Sequence, residues 1–94
     1  MKIPEAVSVI IPAFNEEVGV GDVVKRVRQV LTKAQIKHEI LVVDDGSKDH
    51  TALRAYQAGA RIISMGENRG YGASIKAGMR EAQFPLIAIT DADG

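Results

Sequence analysis

An unbroken apolar run that ends in two carboxylates constrains this chain most strongly. Ile40–Val43 contains four consecutive apolar residues, and Asp44, Asp45, Gly46 and Ser47 follow it directly. Such a run is typical of a strand that is buried on both faces of a parallel sheet. Because burying an unpaired carboxylate costs several kcal/mol, we expect both acids to project from the edge of the sheet. Open α/β sheets bind their ligands at that edge.

Strand-like and helix-like patterns alternate along the rest of the chain. We predict strands at 6–11, 38–44, 61–65 and 86–90, with helices at about 17–33, 71–83 and in a short segment ending near residue 58. Strands that alternate with helices indicate a parallel sheet with right-handed crossovers. The predicted fold class is therefore α/β, a Rossmann-like three-layer α/β/α arrangement with a mainly parallel four-stranded sheet in the order β-α-β-α-β-α-β.

Two local predictions follow from residue type. Pro12 comes directly after the first apolar run and cannot continue a central strand, so we expect the strand to end before it. In the third helix Tyr71, Ile75, Gly78 and Met79 share one face, on which we expect Met79 to fill the core.

Composition narrows the classes of function. A chain of 94 residues allows at most one domain, and the absence of cysteine excludes a disulfide scaffold or a thiolate metal site. The net charge is zero and the basic residues are scattered, so a nucleic-acid partner has no electrostatic support. No apolar run approaches the roughly 20 residues of a membrane-spanning helix.

The carboxyl ends of parallel strands meet at one edge of the sheet, so the segments that follow the strands should gather there. These segments are 12–17, 44–47, 65–72 and 91–94. Asp91 and Asp93 stand two residues apart in the last of them, and carboxylate oxygens are the ligands that Mg²⁺ and Mn²⁺ prefer. Taken alone, the pair is more typical of a polar turn, and its place beside another acid pair is what favours a metal site.

The glycine-rich segment Asn68-Arg69-Gly70-Tyr71-Gly72-Ala73 opens the third helix. Free backbone N–H groups at a helix start favour an anion, and Arg69 offers a charge-assisted contact to phosphate. The same glycines are equally consistent with helix entry alone. The acid pair that ends the second strand is likewise equally consistent with a turn and with a contact to a nucleotide.

Together the four segments resemble the family 2 glycosyltransferases of the GT-A fold. The resemblance rests on 7–17, 43–51, 68–73 and 91–94, which stand in the right order and spacing and cover essentially the whole chain. The last two segments most resemble the branch that contains the polyprenol-phosphate (dolichol-phosphate) mannosyl- and glucosyltransferases.

The resemblance implies roles for particular residues on the nucleoside side of a site. Pro12, Phe14 and Glu16 would line the pocket for the base and ribose. Asp45 would contact the nucleobase, and Asp44 would be its more structural neighbour.

On the other side of that site, the resemblance implies contacts to the diphosphate and the metal. Asn68, Arg69 and Gly72 would border the nucleoside and its diphosphate. Asp91 would sit beside the ribose and diphosphate, and Asp93, with Asp91, would hold a divalent cation, Mg²⁺ or Mn²⁺. The catalytic residues, including a general base and the acceptor site, would lie beyond Gly94.

The resemblance also implies an activity. The family inverts the anomeric centre while it transfers a sugar from a nucleotide-diphosphate sugar to an acceptor, here a polyprenyl phosphate in cell-envelope or glycolipid synthesis. We expect residues 1–94 to be a truncated GT-A domain, the nucleotide-sugar-binding half, without transfer activity by itself. We expect a cytoplasmic protein, either free or at the cytoplasmic surface of the membrane in its full-length form. An incomplete sheet should also expose an edge through which copies self-associate.

Two other classes of function use acids at the edge of a parallel sheet. A nucleotidyltransferase-like enzyme usually carries a glycine- and arginine-rich loop after its first strand, whereas 12–17 is acidic and has no basic residue. A phosphoacceptor receiver module needs its acid pair after the first strand, whereas here the acids follow the second and fourth predicted strands. Both alternatives fit the sequence less well than the glycosyltransferase does.

Overall fold

A computed structural model describes residues 6–93 as seven elements in alternating order. The strands are β1 (Ala6–Ala13), β2 (Lys37–Asp44), β3 (Arg61–Ser64) and β4 (Ile87–Ile89), and the helices are α1 (Val20–Lys33), α2 (Thr51–Gln57) and α3 (Tyr71–Glu81). The predicted order is confirmed, and most of the element ends differ from the predicted ones by one to three residues.

The strands form one parallel sheet in the order β3-β2-β1-β4. β1 and β2 pair along their whole lengths, from Ala6 opposite Lys37 to Ala13 opposite Asp44. β3 pairs with the last four residues of β2, and β4 pairs with β1 over three residues only. All four strands therefore end at the same edge, which confirms the predicted α/β fold class.

Helices cover both faces of the sheet, and each face has its own apolar cluster. Alternate residues of β1, including Val9 and Ile11, pack against α1 and α2. Ile10, Leu41 and Val43 point to the other face, where α3 covers them. The three predicted layers are thus helix pair, sheet and single helix.

The structure corrects the prediction for Pro12, which lies inside a central strand and pairs with Val43. Ser8 N donates to Leu86 O, and Ile10 O accepts from Thr90 N. The backbone N–H and C=O groups of the even-numbered residues of β1 therefore point toward β4. Pro12 faces the same way but lies beyond the end of β4. Since no strand requires its missing N–H group there, the position is locally an edge, where proline is tolerated.

The prediction for Met79 is also wrong, because this side chain is 53% exposed. The buried face of α3 is centred instead on Ser74 and Gly78. A Cβ added at Gly78 would lie 2.7 Å from Ile10 Cγ2, so the helix packs on β1 by its glycine backbone. This close approach fixes the rotation of α3 and turns Met79 toward solvent.

A polar cluster fixes the connection between α3 and β4 at the opposite end of the sheet from the strand-end loops. Ser8 Oγ donates to Glu39 Oε2 at 2.6 Å, and Gln83 N donates to the same oxygen at 2.5 Å. Phe84 N donates to Ser8 Oγ at 3.1 Å. These bonds hold the residues before β4 against β1 and β2, which sets where β4 begins.

β4 forms one edge of the sheet among the described residues, and its surroundings are apolar. Leu86 and Ile89 are 45% and 47% exposed. Self-association through this edge stays a prediction. No helix within residues 6–93 is long and apolar enough to cross a membrane.

Candidate functional site

The acid pair that ends β2 lies at the edge of the sheet, as expected, but the neighbouring loops bury both side chains there. Asp44 and Asp45 are 8% and 6% exposed. Asp44 Oδ1 accepts a hydrogen bond from Ser47 N at 3.0 Å, which closes a tight turn after the strand. Backbone N–H donors therefore offset the burial of these charges, as buried carboxylates require.

Asp45 holds the loop that leads into α3. Its Oδ1 accepts from Arg69 N at 2.7 Å, and its Oδ2 accepts from Gly70 N at 2.9 Å. Both oxygens of one carboxylate thus bind consecutive backbone N–H groups just before the helix. Charge-assisted bonds of this kind are among the stronger hydrogen bonds in proteins, so Asp45 ties the β2 end to the β3–α3 loop.

Gly46 allows the same two segments to touch. Its φ is +78°, and a Cβ there would lie 2.5 Å from both Asn68 N and Glu67 C. Any other residue would be strained in this conformation and would also press on backbone atoms that cannot turn aside. The glycine of the acid-pair motif is thus required by packing as well as by the turn.

The loop after β1 is fixed to the segment that precedes α2. Asn15 has a φ of +53°; its N–H donates to Ser47 Oγ at 2.8 Å, while its Oδ1 accepts from Lys48 N at 2.9 Å. Glu16 N donates to Thr51 Oγ1 at 2.8 Å. These bonds bring the first and second predicted segments together at the sheet edge.

The two acids after β4 are presented by a buried alanine between them. Ala92 is 4% exposed and belongs to the apolar cluster under α1, whereas Asp91 and Asp93 are exposed. A Cβ added at Gly19 would lie 3.4 Å from Ala92 O, so the turn rests on the start of α1. Anchoring the middle residue leaves both carboxylates free to reach a ligand.

A cleft of about 320 Å³ opens between these segments. It contains seven of the nine residues that the sequence assigned to nucleotide and metal binding, which are Pro12, Phe14, Glu16, Asp45, Asn68, Asp91 and Asp93. Arg69 and Gly72 are not among its lining residues. The Arg69 guanidinium instead lies 3.3 Å from Glu67 Oε1 at the surface.

Comparison with known proteins now gives the family. The family model described as "Glycosyl transferase family 2" matches residues 8–94, which is nearly the whole chain. The chain belongs to glycosyl transferase family 2. The membership accounts for the order in which the four polar segments follow the four strands.

Relatives and solved structures agree with this membership. The dodecaprenyl-phosphate galacturonate synthase of Rhizobium johnstonii is 36% identical over 92 aligned positions, and the match covers 92% of this chain and 27% of that protein. Mannosyl-3-phosphoglycerate synthase from Rubrobacter xylanophilus superposes with a TM-score of 0.84 at 28% identity, over 94% of this chain and 30% of that one.

A third similar protein has been solved with its ligands bound. Glucosyl-3-phosphoglycerate synthase from Mycobacterium tuberculosis, in complex with Mn²⁺, UDP-glucose and phosphoglyceric acid, superposes with a TM-score of 0.79 at 25% identity. The match covers 94% of this chain and 33% of that one. The chain spans about a third of the length of the family members that it matches, between 27% and 38% for the curated relatives.

The cleft of this glycosyltransferase chain is strongly acidic. Four carboxylate side chains line it, from Glu16, Asp45, Asp91 and Asp93, and none of its lining residues is lysine, arginine or histidine. The charged side chains that an anion such as a diphosphate would meet there are all negative, and like charges repel. A bound cation would offset this repulsion.

The residues present fit a divalent cation that shares its coordination with a ligand. Within residues 6–93, no group of three or more His, Cys, Asp or Glu side chains converges into a preformed metal cage. Asp91 and Asp93 supply hard oxygen donors in an exposed turn. Mg²⁺ is usually held in this way, by one or two carboxylates together with the phosphates of a substrate.

Sequence reasoning missed two polar side chains of the cleft, those of Tyr71 and Ser74. Tyr71 is 60% exposed at the first position of α3, and Ser74 is fully buried one turn later. Their spacing was a usable signal, because residues three apart in a helix lie on the same face.

A larger groove of about 610 Å³ runs along α1 beside β4 in this family 2 chain. It shares Asp91 and Asp93 with the cleft, but its remaining wall is mostly apolar and includes Val23, Val27 and Leu31. The smaller cleft is the candidate site, because the polar groups from all four strand ends converge on it.

The loops beside the cleft include a carboxylate whose ionisation stabilises them. Asp49 Oδ1 accepts from the Thr51 hydroxyl and from Thr51 N at 3.0 Å, and Asp49 Oδ2 accepts from Glu17 N at 3.3 Å. The hydrogen bond from the Thr51 hydroxyl lowers the pKa of Asp49 below its ordinary value, and the backbone donors act in the same direction against partial desolvation.

This shift gives an acid-dependent contribution to stability. Because the pKa of Asp49 is lower in the folded chain than in the unfolded chain, its contribution is present above the ordinary value of 3.8 and is lost as the pH falls through the folded value. We expect Asp49→Asn to lower the urea midpoint at neutral pH, and the difference from the wild type to shrink under acid conditions. A difference that stays constant as the pH is lowered would contradict this account.

Proposed function

We propose that this chain is the donor-binding part of a glycosyltransferase that transfers a sugar from a nucleotide-diphosphate sugar with a divalent cation. The observation that carries the proposal is the acidic cleft at the sheet edge, which gathers polar residues from all four strand ends and no basic side chain. Such a cleft suits a ligand that is neutral at one end and carries a metal-bound diphosphate at the other.

We assign the two ends of the cleft to different parts of the ligand. Pro12 comes from the end of β1, and Phe14 and Glu16 come from the loop that follows it. Asp45 and Asn68 come from the loops that follow β2 and β3. Apolar and hydrogen-bonding side chains of this kind suit a flat base and a ribose. We assign the nucleoside to this end and the diphosphate to the end formed by Asp91 and Asp93.

Asp93, with Asp91, would hold Mg²⁺ or Mn²⁺. When bound, the cation would neutralise the charge that develops on the departing nucleoside diphosphate, which is Lewis-acid stabilisation of a leaving group. The contribution of the chain itself is to place two carboxylates on a turn anchored by Ala92 and to orient the nucleoside beside them.

The relatives support the metal and the donor class more firmly than the acceptor. Structures of the mycobacterial glucosyl-3-phosphoglycerate synthase contain Mn²⁺ with UDP-glucose, or Mg²⁺ with UDP. A polyprenyl phosphate acceptor is supported by the name of the rhizobial dodecaprenyl-phosphate synthase. We propose this acceptor class, and inversion at the anomeric carbon, for the whole enzyme at the cytoplasmic membrane surface.

Calorimetry tests the proposed donor site directly. We expect the chain to bind UDP or GDP with Mn²⁺, and to lose at least about tenfold in affinity when EDTA replaces the metal, since only carboxylates would then face the diphosphate. Asp93→Asn should lower the affinity by a similar factor.

The matched control is Asp22→Asn, which neutralises an exposed acid in the first turn of α1, outside the cleft. Its affinity should equal that of the wild type. Binding that is indifferent to Mn²⁺, or that falls equally in the two variants, would overturn the metal assignment. Absence of binding by a folded wild-type chain would overturn the proposed function.

A further inference from the structure

A buried hydroxyl without a hydrogen-bond partner lies in the wall of the cleft. Ser74 is 0% exposed, and its Oγ is one of two buried side-chain polar atoms within residues 6–93 that form no hydrogen bond, the other being Arg28 Nε. The Ser74 backbone N–H donates to Gly70 O at 3.1 Å, so only the side chain is unsatisfied. Folded proteins seldom leave such a group unpaired.

The rest of the chain shows how buried serines are normally satisfied. Ser8 is equally buried, yet its Oγ donates to Glu39 Oε2 at 2.6 Å and accepts from Phe84 N at 3.1 Å. Ser74 lies on the buried face of α3 like Gly78, but unlike Ser8 it also lines the cleft, where a ligand can approach. A partner for its hydroxyl can therefore arrive with a ligand.

The charges around Ser74 limit what that ligand group can be. The Asp45 carboxylate already lies at the start of α3, where it accepts from Arg69 N and Gly70 N. It therefore places a negative charge directly beside the N-terminus of the helix, where it would oppose a phosphate. A second anion would be repelled there, whereas a neutral hydrogen-bonding group would not.

We propose that the Ser74 hydroxyl binds the neutral nucleoside part of the donor, its base or its ribose, and takes no part in holding the diphosphate. The inference rests on the proposed function, since it names which part of the donor lies against α3. It makes Ser74 a binding residue at the nucleoside end of the cleft, opposite the carboxylates of Asp91 and Asp93.

The first turn of α3 has room to admit the ligand. Tyr71 stands between Gly70 and Gly72, and nothing lies within 4 Å of where a Cβ would be at either glycine. Tyr71 itself is 60% exposed. The first turn of α3 is therefore not packed against other atoms at its glycines, whereas Gly78 fixes the helix on β1 further along.

Ser74→Ala tests the inference, because it should lower the nucleotide affinity without lowering the thermal stability. Removing an unpaired hydroxyl and adding a better helix former should leave the thermal midpoint equal or higher. The affinity for UDP or GDP with Mn²⁺ should fall about five- to tenfold, the effect of one lost hydrogen bond. The affinity for pyrophosphate with Mn²⁺, measured in the same way, should stay within about twofold.

Ser8→Ala is the matched control, because it makes the same change at an equally buried serine whose hydroxyl is fully bonded. It should lower the thermal midpoint. A lower midpoint for Ser74→Ala would show a structural partner for its hydroxyl and overturn the inference, as would unchanged nucleotide affinity. An equal loss of pyrophosphate affinity would overturn the assignment to the nucleoside.

The outcomes separate the two proposals. If the wild-type chain binds the nucleoside diphosphate and Ser74→Ala binds it equally well, the inference fails while the proposed function stands. If the folded wild-type chain binds no nucleoside diphosphate, both fail together.

Discussion

Asp45→Asn is expected to destabilise the chain by about 2–4 kcal/mol and to abolish most of its metal-dependent nucleotide binding. The native carboxylate accepts one backbone N–H on each oxygen, from Arg69 and Gly70. An amide of the same shape has a single acceptor oxygen, and its NH₂ group would face the second N–H donor. The loop that borders the cleft would then detach from the end of β2.

Asp44→Asn provides the control for this experiment. Asp44 is the adjacent acid and is buried to a similar degree, but its Oδ1 accepts only the Ser47 N–H among the bonds described. An amide oxygen can replace that single acceptor, so we expect a loss of about 1 kcal/mol or less. Urea unfolding of both variants, with calorimetry of nucleotide binding, makes the comparison.

Equal destabilisation by the two substitutions would contradict the role of Asp45 in holding the loop. If Asp45→Asn weakens nucleotide binding while the stability of the free chain is unchanged, the carboxylate acts by direct contact with the ligand alone. Amide hydrogen exchange at Arg69 and Gly70 distinguishes these cases, because a detached loop exchanges faster without ligand.

Gly46→Ala is expected to cost more stability than any other single methyl addition in the strand-end loops. The new Cβ would meet Asn68 N and Glu67 C, each at 2.5 Å, in a backbone conformation with φ of +78°. Positive φ alone costs a non-glycine residue about 1–2 kcal/mol. The overlap with two backbone atoms adds to this, so we expect a total of at least about 3 kcal/mol.

Gly66→Ala isolates the two contributions. Gly66 has nearly the same φ, +80°, but nothing lies within 4 Å of where its Cβ would be. It should therefore show the conformational cost alone, about 1–2 kcal/mol. Similar urea midpoints for the two variants would mean that the loop around Asn68 yields easily and does not pack firmly on Gly46.

The sheet and its edge could be predicted from local patterns because each strand is short, apolar and bounded by polar residues. The run from Ile40 to Val43 is buried as expected, and the residues after all four strands meet at one edge. Parallel topology brings these loops together, and seven of the nine residues that the resemblance to the family assigned to the site line one cleft.

Residues whose state depends on a partner distant in sequence were not predictable in this way. Pro12 continues a central strand because β4 is too short to reach it. Met79 is exposed because Gly78 brings α3 against Ile10. The acids at the end of β2 are buried because a loop more than twenty residues later donates two N–H groups to one of them.

The sequence by itself determined the order of strands and helices and the family to which the chain belongs. It also determined the edge of the sheet at which the candidate binding residues lie. These features depend on residue type and spacing along the chain. The tertiary structure decided which side chains face the cleft. It directs Asp45 to the backbone before α3 and leaves Ser74 without a partner, because hydrogen bonds between distant segments form only when the packed layers bring donor and acceptor together.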